Sequence, residues 1–301
     1  MLIRQALSEG CAALAAAGKG SPGLDASLLL AEVLGTSRTA LAAAGEDELP
    51  QKALDSFRLL IGRRLGGECV AYILGRKEFR GLEFSVNKSV LVPRPETETL
   101  VEAALEVWGI GNGEWGVKNR SGKTAGNFRV LDLCTGSGAV AVSLKSEWPD
   151  LTVWASDISA KALKVARANA ARLLPPESIC FFLGDLFEAL PNPQSPFPIP
   201  QFNLIVSNPP YIPGAQIETL SPEVKNEPRI ALDGGEDGLA IIKGIIAAAP
   251  DYLIRGGALL LEADPGQMKN IAGLLEKNGF MNIKEYRDLS GSERVIGGTL
   301  S

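Results

Sequence analysis

The sequence predicts an α/β fold, in which a doubly wound, mainly parallel sheet of seven strands follows a small helical domain. The main observation is the regular alternation of apolar strands and helices after residue 127. The strands fall near 128–133, 151–156, 179–183, 203–207, 257–262, 281–286 and 293–298. The helices fall near 138–147, 159–173, 237–251 and 266–278. Such alternation is typical of a parallel sheet that helices cover on both faces.

A second observation is the change of character near residue 77, which suggests three parts. Residues 1–76 are rich in alanine and leucine at helical spacing, so we expect a helical domain there. Residues 77–95 carry apolar side chains at strand spacing, which predicts a β-hairpin linker with a turn at Asn87-Lys88. The third part, 96–301, starts with a helix whose acidic first turn suits the helix dipole.

Two segments are predicted to be loops rather than parts of the sheet. Residues 109–127 are glycine-rich, and residues 190–201 contain five prolines. We expect the first to be a surface loop and the second to be a stiff connection into the fourth strand.

Composition excludes several kinds of function for the 301 residues. The net charge of −5 argues against a general nucleic-acid binder, and the absence of histidine removes histidine acid/base catalysis and histidine metal ligands. The four cysteines are scattered, so neither a zinc site nor a dense disulfide framework is expected. Free thiols and the lack of a long apolar run favour a cytoplasmic protein without a membrane span.

The first motif is "RVLDLCTGSGAVAVSL" (129–144), an apolar strand, an acid, a loop of small residues and a helix. Gly136 and Gly138 allow a ligand to approach the backbone, and the helix N-terminus beyond them attracts anions. A tight turn between strand and helix explains this loop equally well.

The next two strands each end in an acid. Asp157 lies about 20 residues beyond the loop, where a carboxylate can accept hydrogen bonds from ribose hydroxyls. Asp185 ends the third strand, where it could meet an adenine amino group. Either acid could instead cap the helix that follows it. Together with the glycine loop, the acids predict a nucleoside site at the carboxyl edge of the sheet.

The fourth strand runs into "SNPPY" (207–211). The Asn208 side-chain oxygen and the Pro209 carbonyl can each accept an N–H from a planar target amide or amine. Proline fixes φ and cannot donate, so this edge stays rigid, and Tyr211 can stack on the flat target. The target needs no strong base before transfer, because its nitrogen becomes acidic once it is methylated. As an isolated tetrapeptide, the same residues would form only a turn.

A dinucleotide-dependent dehydrogenase is the alternative that the glycine loop leaves open, because alanine is tolerated at the third fingerprint position, Ala141. Many dehydrogenases use a histidine, however, which this chain lacks, and a dehydrogenase function does not explain the "SNPPY" motif. The loop, Asp132 before it and the tetrapeptide fit methyltransferases that depend on S-adenosylmethionine better.

Four stretches together resemble the peptide chain release factor N5-glutamine methyltransferases (the PrmC/HemK family). They are "AYILGRKEFRGLEFSVNKSVLVPRPETETLVE" (71–102), "VLDLCTGSGAVAV" (130–142), "VSNPPYIP" (206–213) and "EPRIALDGGEDGL" (227–239). The resemblance implies a class I S-adenosylmethionine-dependent methyltransferase fold, Rossmann-like, after an N-terminal helical bundle and a hairpin linker. It implies methyl transfer to the amide N5 of the glutamine in the Gly-Gly-Gln motif of class 1 release factors, with S-adenosylhomocysteine as product.

The resemblance also implies a set of site residues and partners. The cofactor residues are Asp132, Cys134, Thr135, Gly136, Ser137, Gly138, Asp157, Ile158, Asp185, Leu186 and Asn208. The catalytic and substrate residues are Asn208, Pro209, Pro210 and Tyr211. The helical domain is expected to dock the release factor, and a monomer without membrane or direct nucleic-acid contacts is expected.

The sequence departs from the family at two cofactor positions. Cys134 stands where glycine is common, and Leu186 stands where an aromatic residue is frequent. Two other functions stay open at this point: an amino-methyltransferase acting on adenine or guanine of DNA or RNA, and a non-catalytic cofactor-binding protein. The intact Asn208–Tyr211 edge disfavours the second.

Overall fold

The computed structural model describes residues 1–108, 128–190 and 201–301. The expected loop at 109–127 and nearly all of the expected loop at 190–201 lie outside the described residues. The chain forms two compact units. The helical unit comprises Met1–Arg76 with Ser221–Asn226, and the sheet unit comprises Lys77–Leu220 with Glu227–Ser301.

The helical unit is an amphipathic bundle around its own apolar core. Its helices are α1 (Ile3–Ala16), α2 (Pro22–Leu34), α3 (Arg38–Ala43), α4 (Gln51–Leu65) and α5 (Val70–Leu74). Leu14, Leu29 and Phe57, one from each of the three longest helices, are almost completely buried at its centre. Helix α2 ends at Gly35, whose φ of 61° is the left-handed conformation that glycine adopts without strain.

A buried ion cluster joins the segment 221–226 to the rest of the helical unit. Arg64 Nε donates to Asp25 Oδ2 at 2.7 Å, and Arg64 Nη1 lies 2.6 Å from Glu223 Oε1. Lys19 approaches the same Glu223 carboxylate at 3.4 Å. The Arg64 and Asp25 side chains are only 6% and 9% exposed, so each charge depends on the other for compensation.

The hairpin linker is present, but its turn lies elsewhere than the sequence suggested. Strands β1 (Arg76–Phe79) and β2 (Leu82–Ser85) are joined at Arg80-Gly81, and Asn87-Lys88 comes only after β2. Arg80 and Gly81 have φ values of 49° and 73°. A two-residue turn with two positive φ angles matches the twist of the paired strands, so the expected position was wrong by one strand.

Within the described residues the sheet unit contains the predicted seven-stranded sheet. Its strands are β3 (Arg129–Leu133), β4 (Thr152–Asp157), β5 (Ile179–Leu183), β6 (Phe202–Ser207), β7 (Leu253–Glu262), β8 (Phe280–Arg287) and β9 (Glu293–Leu300). Their order is β5-β4-β3-β6-β7-β9-β8, and the strands from β5 to β7 are parallel. Strand β9 runs antiparallel to both of its neighbours, β7 and β8. The strand order reverses between β3 and β6, where doubly wound sheets bind ligands.

Helices cover both faces of the sheet, as the sequence predicted. The remaining helices are α6 (Glu98–Trp108), α7 (Ala139–Glu147), α8 (Ala160–Leu173), α9 (Gly214–Ile217), α10 (Pro222–Lys225), α11 (Ala240–Tyr252) and α12 (Met268–Lys277). Helices α6, α7 and α8 share one apolar core with the sheet, whereas α11 and α12 share another. Helix α10 belongs to the helical unit. No helix in the described part of the chain is long and apolar enough to span a membrane.

We expect Arg64→Ala to lower the free energy of unfolding by about 3–5 kcal/mol, because it leaves the buried Asp25 carboxylate without its partner. Urea denaturation followed by circular dichroism measures the change. Arg58→Ala is the control, since Arg58 pairs with Glu9 at the surface and both are about half exposed. Its cost should stay below about 1 kcal/mol. Equal costs for the two variants would contradict the assignment of a buried ion cluster.

Candidate active site

The carboxyl ends of β3, β4, β5 and β6 open into a cavity of about 490 Å³ in the sheet unit. Most of the predicted site residues line it: Asp132, Cys134, Thr135, Gly136, Ser137, Asp157, Ile158, Asp185, Leu186, Asn208 and Pro210. Gly138, Pro209 and Tyr211 do not line it. Cavities of this size hold ligands of the size of a nucleoside derivative.

Asp157 organises the glycine loop rather than capping the helix that follows. Its Oδ2 accepts the Gly136 N–H at 2.9 Å, and its Oδ1 accepts the Ser159 N–H at 2.8 Å. The N-cap of α8 is Ser159, whose hydroxyl accepts from Ala162 N. Burial raises the pKa of the Asp157 carboxyl, while the two backbone hydrogen bonds lower it. Carboxylate oxygens retain further lone pairs, which are available to hydroxyl donors in the cavity.

Gly138 contributes to the site through packing. It is the N-cap of α7 with a φ of 82°, and an added Cβ would lie 3.2 Å from the Ala166 Cβ on α8. A side chain here would push the two helices apart. Gly138 therefore positions the start of α7 behind the loop without lining the cavity.

Asp132 is almost fully buried at the end of β3. It accepts a 2.6 Å hydrogen bond at Oδ2 from the Thr135 hydroxyl. Burial raises the pKa of the Asp132 carboxyl to about 7, and the nearby Asp157 charge adds to the increase. The Thr135 hydroxyl lowers it, so the loop and the buried acid support each other.

Cys134 adopts the backbone conformation that explains why glycine is common at its position. Its φ is 59°, in the left-handed region that a side chain disfavours. Burial raises the pKa of the Cys134 thiol to about 12, with further contributions from the carboxylates of Asp157, Asp132 and Asp185. A thiol with this pKa stays protonated near neutral pH and is a poor nucleophile.

The far wall of the cavity combines apolar side chains with one acid. Ile158 is half exposed, which is unusual for a large apolar residue, and it lines the cavity together with Leu186. Asp185 stands at the N-cap position of a short 3₁₀ helix, yet its side chain makes no capping hydrogen bond. Its carboxylate is therefore not used as a cap, while Ile158 and Leu186 offer apolar contact for a planar ring.

The residues after β6 divide between the cavity and the protein interior. Asn208 lines the cavity, and its Nδ2 donates to the Thr97 hydroxyl at 3.1 Å. Tyr211 instead packs against the apolar core, and its hydroxyl lies 3.4 Å from Glu262 Oε1. Its backbone carbonyl accepts from Gln267 Nε2 at 3.0 Å. The Tyr211 ring therefore attaches the Asn208–Tyr211 segment to the core and does not line the cavity.

The sequence offers two roles for Arg94, which lies between the predicted hairpin and the next helix. It could shape the mouth of the site or be a solvated charge of the linker, and its partner is not identifiable from the sequence. Arg94 lines the cavity and is paired with Glu227, whose Oε2 also accepts the Val92 N–H at 3.1 Å. Burial raises the pKa of the Glu227 carboxyl, and Arg94 lowers it. Residues 228–231 and Asp233, from the stretch 227–239 that contributes to the family resemblance, also line the cavity.

Thr97 and Glu262 were also missed. Thr97 lies in the "PRPETE" stretch, and Glu262 ends the apolar run "ALLLE" at the carboxyl end of β7. An acid that terminates an otherwise buried strand beside β6 was a usable sequence signal.

Comparison with known proteins identifies the family. The family model described as PrmC N-terminal domain matches residues 5–75, and the methyltransferase small domain matches residues 122–224. The release factor glutamine methyltransferase of Burkholderia pseudomallei is 41% identical over 282 residues, with 92% of each chain covered. That of Geobacter sulfurreducens is 38% identical over 99% of this chain and 96% of its own. The chain belongs to the release factor glutamine methyltransferases.

A solved structure agrees with this assignment at the level of fold. A methyltransferase from Pyrococcus furiosus has a TM-score of 0.50 at 17% identity, covering 79% of this chain and 96% of its own. The predicted class I fold is therefore confirmed. The family relationship, rather than this structural likeness, shows that the chain is a methyltransferase that depends on S-adenosylmethionine.

The residues of the cavity fit that cofactor. A sulfonium nucleoside needs acceptors for its ribose hydroxyls, an apolar slot for its adenine and donors for its carboxylate. Asp157 and Asp185 supply acidic oxygens, and Ile158 and Leu186 supply apolar surface. At Gly136 an added Cβ would meet only the Cys134 carbonyl, at 4.0 Å, so the loop leaves the space in front of it open.

We expect Cys134→Gly to raise the free energy of unfolding slightly, by about 0–1 kcal/mol. Releasing a side chain from the left-handed region gains about 1–2 kcal/mol, part of which the greater freedom of unfolded glycine offsets. Cys180→Gly is the matched control, since Cys180 lies in the strand β5. That change should cost roughly 0.5–1 kcal/mol. Chemical denaturation of both variants checks the difference in sign, and a destabilised Cys134→Gly variant would contradict the backbone explanation.

Proposed function

We propose that this methyltransferase transfers the methyl group of S-adenosylmethionine to the side-chain amide nitrogen, N5, of the glutamine in the Gly-Gly-Gln motif of class 1 release factors. The observation that carries the proposal is the position of Asn208. It lies at the point where the strand order reverses, and it lines the same cavity as the glycine loop. The family relationship supports the target.

Three groups of residues would hold the cofactor. Asp157 accepts from the ribose hydroxyls, and Asp185 with Ile158 and Leu186 surrounds the adenine. Asp132 and the loop from Cys134 to Gly138 lead into the N-terminus of α7, whose free N–H groups favour the methionine carboxylate. When bound, the cofactor supplies an electrophilic methyl group on a sulfonium.

The chain's own contribution to the chemistry is orientation. An amide nitrogen is a poor nucleophile because its lone pair is delocalised, so its direction of approach decides the rate. Asn208 Oδ1, at the cavity, accepts one of its N–H groups. The second acceptor is the Pro209 carbonyl, which does not line the cavity itself but lies between Asn208 and Pro210, which do. Pro210 keeps this edge rigid. Holding two reactants in the productive geometry can supply about 7–11 kcal/mol of the barrier. A general base is not needed, because the nitrogen releases its proton after it has been methylated.

The proposal extends to the two domains and the setting. The helical domain, 1–76, docks the release factor, the hairpin linker spans 77–95, and the catalytic domain spans 96–301. The enzyme acts as a monomer in the cytoplasm, where release factors work. The net charge of −5 supports a protein substrate rather than DNA or RNA.

The decisive assay uses S-adenosylmethionine with a labelled methyl group and a purified class 1 release factor. We expect one labelled residue, the Gly-Gly-Gln glutamine, located by mass spectrometry. A release factor with Gly-Gly-Ala at that site is the control and should stay unlabelled. DNA and RNA are tested in parallel, and label on a nucleobase in place of the release factor would overturn the proposal.

Asn208→Ala should lower turnover about 10- to 100-fold, whereas its affinity for the cofactor should stay within a few-fold of the wild-type value. The variant removes one of the two acceptors that orient the amide, and loss of such a polar partner costs roughly 1–3 kcal/mol. Single-turnover kinetics and calorimetric titration with the cofactor separate the two effects. Near-normal turnover would refute the role given to Asn208.

Asp157→Ala should weaken cofactor binding about 10-fold or more, since it removes the acceptor for the ribose and the partner of the Gly136 N–H. The dissociation constant of S-adenosylhomocysteine, measured by calorimetry, reports the loss. Asp150→Ala serves as the control, because Asp150 does not line the cavity. An unchanged dissociation constant for the Asp157 variant would count against the placement of the ribose.

A further inference from the structure

Glu262 is a buried carboxyl group next to Asn208, the residue proposed to hold the target amide. It ends β7, and the register pairs Ser207 at the end of β6 with Leu261, so Glu262 lies level with Asn208. It is 1% exposed, and its Oε2 has no hydrogen-bond partner among the residues that the structure describes. Burying an acid with an open oxygen is costly. Such a position therefore calls for a reason beyond packing.

A chain of polar groups connects Glu262 to Asn208. Asn208 Nδ2 donates to Thr97 Oγ1 at 3.1 Å. The Thr97 hydroxyl has one hydrogen of its own, and Thr97 lowers the pKa of the Glu262 carboxyl, as a hydroxyl that donates to a carboxylate does. The direction of donation therefore runs from the Asn208 amide to the Thr97 hydroxyl and on to the Glu262 carboxylate.

This direction decides which atom of the Asn208 side chain faces the cavity. Since Nδ2 is engaged by Thr97, the other arm of the amide, Oδ1, is left to face the cavity that Asn208 lines. Oδ1 is an acceptor, as the amide of a target glutamine requires. The opposite orientation would present an N–H donor to another N–H donor.

We propose that Glu262 is a positioning residue for methyl transfer, which as an anion holds the Thr97–Asn208 chain in the direction that turns Asn208 Oδ1 toward the target amide. The proposal rests on the proposed function, in which Asn208 accepts from the substrate. Tyr211 belongs to the same arrangement, because its hydroxyl lies 3.4 Å from Glu262 Oε1 and its ring secures the loop.

The ionisation state of Glu262 is what gives the chain its direction. An ionised carboxylate can only accept hydrogen bonds, whereas a protonated carboxyl can also donate. If Glu262 donated to Thr97, the Thr97 hydroxyl would be free to donate in turn to an amide oxygen. The Asn208 amide would then turn over and offer its NH2 group to the substrate.

The surroundings of Glu262 place this switch near neutral pH. Burial raises the pKa of the Glu262 carboxyl to about 7. Thr97, the Arg294 charge on β9 and the Tyr211 hydroxyl lower it, while the Glu96 charge ahead of α6 raises it. Arg94 faces Tyr211 from the linker side. Because the ionised form is the competent one, turnover should rise as the pH passes upward through about 7.

The test compares Glu262→Gln with the wild-type enzyme at saturating cofactor. Glutamine keeps the size of the side chain but can place an NH2 donor against Thr97. We expect kcat at about pH 8 to fall roughly 10- to 100-fold, while KM for the release factor and the affinity for S-adenosylhomocysteine change less than about threefold. The rise of kcat near pH 7 should become shallower, because residue 262 no longer titrates. It should not disappear, because Asp132 still titrates there in both proteins.

Glu106→Gln is the matched control. Glu106 lies on α6 in an ion pair with Lys284 and does not line the cavity. It should keep the wild-type kcat and pH profile. Thermal unfolding of both glutamine variants checks that each protein is folded. A Glu262→Gln enzyme with the wild-type kcat and pH profile would overturn the proposal.

A second variant tests the chain itself. Thr97→Val removes the hydroxyl with little change of shape, so its loss of kcat should resemble that of Glu262→Gln. Because both changes break one chain, the double variant should lose no more than about threefold beyond the more severe single variant. Losses that multiply would mean that Glu262 acts independently of Thr97 and would overturn the proposal.

A spectroscopic measurement separates this inference from the proposed function. The side-chain NH2 resonances of Asn208, labelled with nitrogen-15, should shift with an apparent pKa near 7 in the wild-type protein. The part of this shift that comes from Glu262 should be lost in Glu262→Gln, whereas a contribution from Asp132, which also titrates near pH 7, should remain. This readout needs no substrate, so it stands even if the release factor is not methylated. Identical titration in both proteins would rule out the coupling of Glu262 to Asn208.

Discussion

The site depends on one geometric constraint, which is that parallel strands end at the same edge of a sheet. Strands β3, β4, β5 and β6 all point their carboxyl ends toward the cavity, and the order reverses between β3 and β6. The chain after β5 must cross to the other side of β3, so the loops after β3 and β6 diverge and leave a crevice. The glycine loop and the Asn208 corner meet there although 70 residues separate Gly138 from Asn208 in sequence.

The same edge gathers buried acids that would be unfavourable elsewhere in the core. Asp132, Glu227 and Glu262 are each at most 5% exposed, and burial raises the pKa of all three carboxyl groups. Each has a donor from the loops around it: the Thr135 hydroxyl, the Val92 N–H with Arg94, and the Tyr211 hydroxyl. Each loop is held in place by its hydrogen bond to a buried carboxylate, and each carboxylate needs the donors of that loop to offset its burial. The shape of the cavity and the stability of the fold therefore depend on the same hydrogen bonds.

Sequence reasoning recovered the parts of this arrangement that follow from periodicity and from strand ends. The seven strands, the helices on both faces and the predicted acids at the ends of β4 and β5 all come from patterns that are local in the chain. The turn of the hairpin was misplaced because Asn87-Lys88 has ordinary turn composition, whereas Arg80 adopts a positive φ that its side chain disfavours. Thr97 and Glu262 could not be paired from sequence, because the hydroxyl and the acid come from elements more than 160 residues apart. Tyr211 was expected to stack on the target because of its place in the Asn208–Tyr211 motif, whereas the folded chain shows its ring packed against the apolar core.

The absence of histidine is consistent with what the site has to accomplish. Methyl transfer to an amide leaves the proton to depart from a nitrogen that has already become acidic, so no group must remove it beforehand. What the reaction needs is a fixed direction for one flat NH2 group, and hydrogen-bond acceptors can set it provided that they cannot turn over. At the Pro209 carbonyl, the proposed second acceptor, the following Pro210 limits such rotation because it restricts ψ of the residue before it. The Asn208 side chain has no such restraint of its own, so its direction must come from a neighbour whose hydrogen-bonding role is unambiguous, and an ionised carboxylate is the side chain that can only accept.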